Sequence, residues 1–152
     1  MPKPLRSPAA LLPPLALALA LGACAPAAAP PAALAAPAAP EPAVAVVQRQ
    51  VDAYNAHDLD AFAGTYAADV IIQRRGEVYL SGIASLRERY GRTFAKFPNL
   101  RVRIVERRLE GDRLVLDHEV ASGGPPEKGD AWDLGWVTYE VDRGLIRRVY
   151  LP

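Results

Sequence analysis

The stretch VVQRQVDAYNAHDLDAFAGTYAADVII, residues 46–72, decides the fold. Val44, Val47, Val51 and Tyr54 recur at spacings of three and four, one face of an amphipathic helix. The pattern breaks at Asn55. A second helix is predicted to follow, with Leu59, Phe62, Ala63 and Tyr66 on its inner side and Asp58 accepting a backbone N–H bond at its start. Asn55 and His57 then fall in the corner between the helices. His57 beside Asp58 and Asp60 is the nearest thing to a catalytic cluster in a chain with only two histidines. A turn residue, a small residue and a helix cap explain the same cluster as a corner, and we read it that way.

The chain beyond continues in short elements. Val70, Ile71 and Ile72 predict a short buried strand, Arg74-Arg75-Gly76 a turn, and Glu77 to Leu80 a partner strand. Ser81-Gly82 opens a third helix, with Ile83, Leu86, Tyr90, Phe94 and Phe97 as its apolar face and Pro98 closing it. Leu100, Val102 and Ile104 alternate with Arg101 and Arg103, a half-buried strand. Strands over 113–121, 131–141 and 145–151 follow. They are separated by turns at 110–112 and 142–144 and by the loop SGGPPEKGD at 122–130. Helices grouped before a run of strands give an α+β architecture: a curled antiparallel sheet wrapped around three N-terminal helices, with a pocket at its open end.

The first 43 residues are different in kind. Lys3 and Arg6 precede an apolar run from Leu11 to Leu21, the layout of a secretory signal over residues 1–23. The run contains Pro13-Pro14 and is shorter than the roughly 20 apolar residues that a membrane span needs. Leu21-Gly22-Ala23-Cys24 resembles the lipobox of bacterial lipoproteins, which implies cleavage before Cys24 and lipidation of its thiol. Residues 24–43 then read as a lipidated cysteine and an Ala/Pro-rich linker, with residues 44–152 as the globular domain. Six prolines between Ala25 and Pro42 forbid a regular helix and favour extended geometry. Cys24 is the only cysteine, so no disulfide can form within the chain. Without Lys3 and Arg6, 16 basic residues face 17 acidic ones, a net charge of −1 that argues against a nucleic-acid partner. The cluster Arg101, Arg103, Arg107 and Arg108 reads as a solvated strand face and its turn.

The stretch at 46–72, together with GWVTYEVDRGLIRRVYL at 135–151, resembles the beginning and end of nuclear transport factor 2-like domains, the superfamily of ketosteroid isomerase and SnoaL-like polyketide cyclases. The resemblance extends from about Val44 to Pro152. It implies the cone-shaped fold, and often a dimer through the outer sheet face. The tyrosine, base and oxyanion-acid positions of ketosteroid isomerase are held here by Gln50, Arg74 and Val137. Arginine accepts no proton at neutral pH, so that mechanism is not expected. The same alignment turns Asp117, Glu119 and Ala121 inward on one strand, and Asp133, Val137 and Tyr139 inward on the next. Leu114, Leu116, His118 and Val120 then lie outside.

These readings give the candidate residues. Tyr54, Arg74, Asp117, Glu119, Asp133, Val137 and Tyr139 are expected to line a ligand pocket, with Arg74 as the partner of the inward carboxylates. Asp117, Asp133 and Glu119 are the candidate acid–base groups. No metal site is expected, because His118 and its acidic neighbours alternate in direction along a strand, and no pattern requires a cofactor. Ser122 lies before a loop and not in a nucleophile elbow. Trp132 and Trp136 are expected on one strand face. The resulting expectation is a lipid-anchored protein of the bacterial cell envelope, facing the periplasm or cell exterior and most simply a homodimer. It would bind a small, partly apolar molecule or a protein partner without catalysis. The alternative is a SnoaL-like cyclase, isomerase or hydratase that uses an inward carboxylate.

Overall fold

A computed structural model describes residues 41–152. The signal at 1–23, Cys24 and the linker as far as residue 40 lie outside the described residues. Helix α1 spans Ala43–Ala56, one residue ahead of the expected domain start, and α2 spans Leu59–Ala63. Strands β1 (Tyr66–Arg74) and β2 (Glu77–Ser81) form a hairpin, followed by α3 (Gly82–Lys96). Strands β3 (Arg101–Glu110), β4 (Leu114–Ser122), β5 (Ala131–Asp142) and β6 (Leu145–Leu151) complete the α+β fold. The six strands make one sheet in the order β2-β1-β6-β5-β4-β3. All neighbours are antiparallel except β1 and β6, which pair parallel, with Ile72 opposite Val149. The antiparallel expectation is corrected at that one seam.

Two expected boundaries move. Tyr66 belongs to β1 and not to the second helix, because α2 ends after only five residues, at Ala63. The strand expected at Val70–Ile72 is therefore longer than its apolar run. On α1 the fully covered residues are Val46 and Val47, with Gln50 and Val51 next to them, while Val44 and Tyr54 are only half-buried. A buried glutamine within that stripe is a departure from simple amphipathicity.

Phe62 is the centre of the core. It is wholly covered, and its ring lies 4.6 Å from Tyr90, 5.1 Å from Tyr66 and 5.8 Å from both Tyr54 and Phe94, centroid to centroid. Tilted and edge-on rings of this kind add about 0.5–1.5 kcal/mol per pair beyond the area they bury. All three helices and β1 thereby meet at one side chain.

The Asn55–Asp60 corner is structural. Asn55 Nδ2 donates to Val102 O at 2.8 Å, and Val102 N donates to Asn55 Oδ1 at 2.7 Å, so the amide pairs with β3 as a short piece of strand would. His57 takes a left-handed conformation at φ 56°, stacks on Phe94 at 4.8 Å and sets Nε2 2.8 Å from Leu100 O. Asp58 accepts from the Asp60 and Ala61 amides and caps α2. Asp60 pairs with Arg87 of α3.

Bulges decide which side chains face the helices. β4 alternates without interruption: Val115, Asp117, Glu119 and Ala121 are buried, and Leu114, Leu116, His118 and Val120 lie on the outer face. On β5, Leu134 and Gly135 share the place opposite Glu119, and Gly135 takes φ +78°, a conformation that favours glycine. The extra residue reverses the strand's alternation there. Trp132 lies within van der Waals reach of the loop at Gly124, where an added Cβ would stand 2.3 Å from the indole. Trp136 sits outside, stacked on His118 at 5.3 Å and under Arg108 at 4.4 Å. The expectation that the two tryptophans share a face is corrected by this bulge. A second bulge, between Ile104 and Glu106, turns Arg107 inward, against the expected solvated arginine face.

Replacing Asn55 by Ala removes both bonds to Val102 and leaves that strand's backbone groups unpaired. Urea unfolding is expected to show a loss of roughly 2 kcal/mol. If His57, Asp58 and Asp60 are structural, Asn55→Ala will change stability while ligand uptake by the folded fraction stays as it was.

Candidate functional site

Between α1, α3 and the concave face of the sheet lies a cavity of about 780 Å³. Its inner wall is formed by Val51, Ile72, Val137, Val149 and Leu151, with Tyr54, Tyr66 and Tyr90 toward the helices. Gln50, Tyr66, Glu119 and Tyr139 are buried and bring polar atoms to it.

Glu119 is the chemically distinctive group. It is 5% exposed, and the Tyr139 hydroxyl donates to its Oε1 at 2.6 Å. Burial pushes its carboxyl up to about 7, and the negative charge of Asp117 adds to this. The Tyr139 hydrogen bond and Arg107 pull the other way. Burial also lifts the Tyr139 hydroxyl well above the ordinary tyrosine range, with the Glu119 charge adding to it, so Tyr139 remains the donor. The Tyr90 phenol is pushed up to about 12, chiefly by burial. Gln50 Oε1 is buried at the cavity with no hydrogen-bond partner among the described residues, an acceptor in position for a ligand's N–H or O–H.

The other candidates separate by position. Asp117 is wholly buried but does not line the cavity. Arg107 grips it through two bonds of 2.7 Å, Nε to Oδ1 and Nη2 to Oδ2, and reaches Gln48 on α1 at 3.0 Å. That bidentate bond is the main reason the Arg107 guanidinium is held above its ordinary range. Asp117 is therefore one half of a structural ion pair, and its partner is Arg107, not Arg74. Asp133 borders the cavity, but its carboxylate is turned to the outer face. There it bonds His118 Nε2 at 2.9 Å and accepts from Gly135 N at 2.7 Å, contacts that hold it below the usual carboxylate range. Arg74 reaches neither carboxylate. Its guanidinium lies over the Tyr79 ring at 4.3 Å, at the cavity mouth. Val137 and Tyr139 are in the wall, and Tyr54 stands at the boundary of cavity and core.

In the sequence Glu119 is one of three candidate carboxylates, and Gln50 is not marked as a ligand contact. An apolar helix stripe with one glutamine in it was the available signal for Gln50. Among the described residues, no three His, Cys, Asp or Glu side chains are grouped to hold a metal ion.

Tyr139→Phe removes the only side-chain hydrogen bond to Glu119 among the described residues, and its carboxyl is expected to titrate above about 7. A folded value above the unfolded one favours the native state at low pH. The contribution is full below the unfolded value of about 4.3 and is lost as pH rises toward the folded value. Wild-type protein compared with Glu119→Gln should accordingly lose on the order of 3 kcal/mol of relative stability between those limits. Carbon-13 NMR titration of the glutamate side chains and urea unfolding at several pH values measure the two effects.

Comparison with known proteins agrees with this geometry. The family model described as the SnoaL-like domain matches residues 47–149. Comparison with curated proteins finds no match. Among solved structures, an uncharacterized cystatin-fold protein from Novosphingobium aromaticivorans is similar with a TM-score of 0.65 and 23% identity, over 74% of this chain and 98% of that one. A Δ5-3-ketosteroid isomerase from Mycobacterium sp. gives 0.62 and 20%, over 73% and 92%. A putative polyketide cyclase from Sinorhizobium meliloti gives 0.60 and 21%, over 71% and 94%. At these identities the structures speak for the fold alone. The family model covers most of the chain, and on that match the protein belongs to the SnoaL-like family, with the nuclear transport factor 2-like fold.

Proposed function

We propose that this domain binds a small, partly apolar molecule in the cavity beneath the concave face of its sheet. The supporting observation is the cavity's construction: about 780 Å³ walled largely by valine, isoleucine and leucine, with Gln50, Tyr66, Glu119 and Tyr139 among its buried polar groups. That size falls within the roughly 300–1,000 Å³ typical of small-molecule sites. A purely structural subunit would use Tyr54, Tyr66 and Phe94 to close such a space. Here those rings pack around Phe62 and leave the volume open.

A second reading is favoured by the setting of Glu119, buried in the cavity wall under the Tyr139 hydroxyl, where burial pushes its carboxyl up to about 7. A carboxyl at that value exchanges protons readily at neutral pH and suits general acid–base work. In this reading the protein is a cyclase, isomerase or hydratase in which Glu119 moves a proton and Tyr139 orients it. On the resemblance to ketosteroid isomerase, Gln50, Arg74 and Val137 fall at the positions of its catalytic groups, so the chemistry would not be that of the isomerase.

Native mass spectrometry of the purified protein is expected to find a small molecule that is released on unfolding. Ala121→Leu, which adds bulk to the cavity wall, should lower its occupancy about fivefold or more. Full occupancy in Ala121→Leu would place the ligand elsewhere. If the molecule is turned over, Glu119→Gln should slow the reaction about 100-fold or more, while Asp133→Asn, whose carboxylate faces outward, should not. Equal losses in both variants would remove Glu119 from its special role.

The reading includes an address. Leu21-Gly22-Ala23-Cys24 at the end of an apolar run supports export and lipid attachment through Cys24, which would hold the domain outside the cytoplasm. Among the described residues no helix is long and apolar enough to cross a membrane. The mature protein is expected to begin at Cys24, carry acyl chains and sediment with membranes. Cys24→Ser should release it to the soluble fraction or leave the leader uncut, and mass spectrometry of the N-terminus distinguishes these outcomes.

A further inference from the structure

The basic residues are not distributed evenly. Residues 41–152 hold 16 lysines and arginines. Nine of these lie within 4.0 Å of a carboxylate: Arg92 and Arg107 at the sites already described or near them, and the others spread over the exposed surface. Of the seven without a carboxylate partner among the described residues, five border the cavity: Arg74, Arg75, Arg89, Lys96 and Lys128. They come from three separate parts of the chain: the β1–β2 turn, α3, and the loop before β5. All five are exposed, at the mouth.

Two of them converge. The guanidinium carbons of Arg74 and Arg89 lie 4.3 Å and 5.7 Å from the centre of the Tyr79 ring. One aromatic ring thus collects two like charges that repel each other, and a bound anion relieves that repulsion. The opposing charges at the cavity are few. Asp133 is committed to His118 on the outer face, and Glu119 lies deep in the wall, bonded to Tyr139. A ligand's negative group is therefore attracted at the mouth and repelled by any charge on Glu119 at depth. Its apolar part meets the valine and leucine wall.

Resting on the reading of the cavity as a small-molecule site, we propose that its ligand is an amphiphilic organic anion. The carboxylate or phosphate head is held at the mouth by Arg74 and Arg89, and the apolar body points inward toward Glu119. Guanidinium groups match either head through paired N–H donors. Lys96 and Lys128 add attraction that does not depend on the shape of the head.

The test uses one apolar body with four heads: naphthalene carrying an acetate, a phosphate, a hydroxyethyl or an aminoethyl group. Binding to the purified protein is measured by calorimetry at low and high salt. An anionic probe is expected to bind about tenfold or more tightly than the neutral one, with the ammonium weakest and the preference shrinking as salt rises. Whichever of acetate and phosphate binds more tightly identifies the head. The double variant Arg74→Gln/Arg89→Gln should erase the anion preference and leave the neutral probe's affinity within about twofold. Arg103→Gln, at an arginine outside the cavity lining and without a carboxylate partner among the described residues, should change nothing. Equal binding of neutral and anionic probes would overturn the anion assignment and leave the cavity reading standing. Binding of none of the four would overturn both.

Discussion

The bidentate pair of Arg107 and Asp117 divides the inner face of the sheet. Asp117 is wholly buried, and a carboxylate there without its partner would cost several kcal/mol, of order 3–5. The pair, with Gln48 as a third member, closes the region beneath α1. Two residues further along β4, Glu119 faces the same way without a guanidinium of its own. Its hydrogen bond comes from a tyrosine, which cannot supply a positive charge. One inward carboxylate is thus paired with an arginine, while burial pushes the other up to about 7.

The backbone irregularities put these groups where they are. Without the bulge between Ile104 and Glu106, regular alternation along β3 would not bring Arg107 to the side where Asp117 waits. Without Leu134-Gly135 sharing one place on β5, the alternation that carries Val137 and Tyr139 inward would also carry Asp133 inward. The cavity would then hold another carboxylate, and Trp132 would leave the loop it packs against. Bulges re-aim side chains at the rim of a curved sheet while the rest of the ladder stays paired. Here one brings Arg107 inward to Asp117 and the other leaves Asp133 on the outer face with His118.

How much of this was legible in the sequence follows from the range of each force. The helix faces, the turns at 74–76 and 142–144 and the alternation of β4 are local patterns, and they read directly. The corner at Asn55 read as a corner because capping is also local. The range of Tyr66 did not read, since an aromatic residue four positions after Phe62 fits a continuing helix as well as a strand that begins beside it. The bulges were hidden because nothing in Val105 marks an extra residue, and Gly135 marks one only once its partner strand is known. For that reason Asp133, Trp132 and Arg107 were assigned to the wrong sides. Asp117 and Glu119 were correctly kept together on one face, but their difference depends on a guanidinium ten residues away from Asp117 across a turn.

The parallel seam has a kinetic meaning. β6 lies between β1 and β5, so the strand that comes last in the chain is an interior member of the sheet. Ile72 and Val149, which meet across that seam, are 77 positions apart. Until β6 arrives, β1 and β5 each present an open edge and the concave surface has no middle. Domains dominated by such distant pairings assemble slowly, in roughly milliseconds to seconds, because the entropy of closing a long loop is lost before any contact repays it.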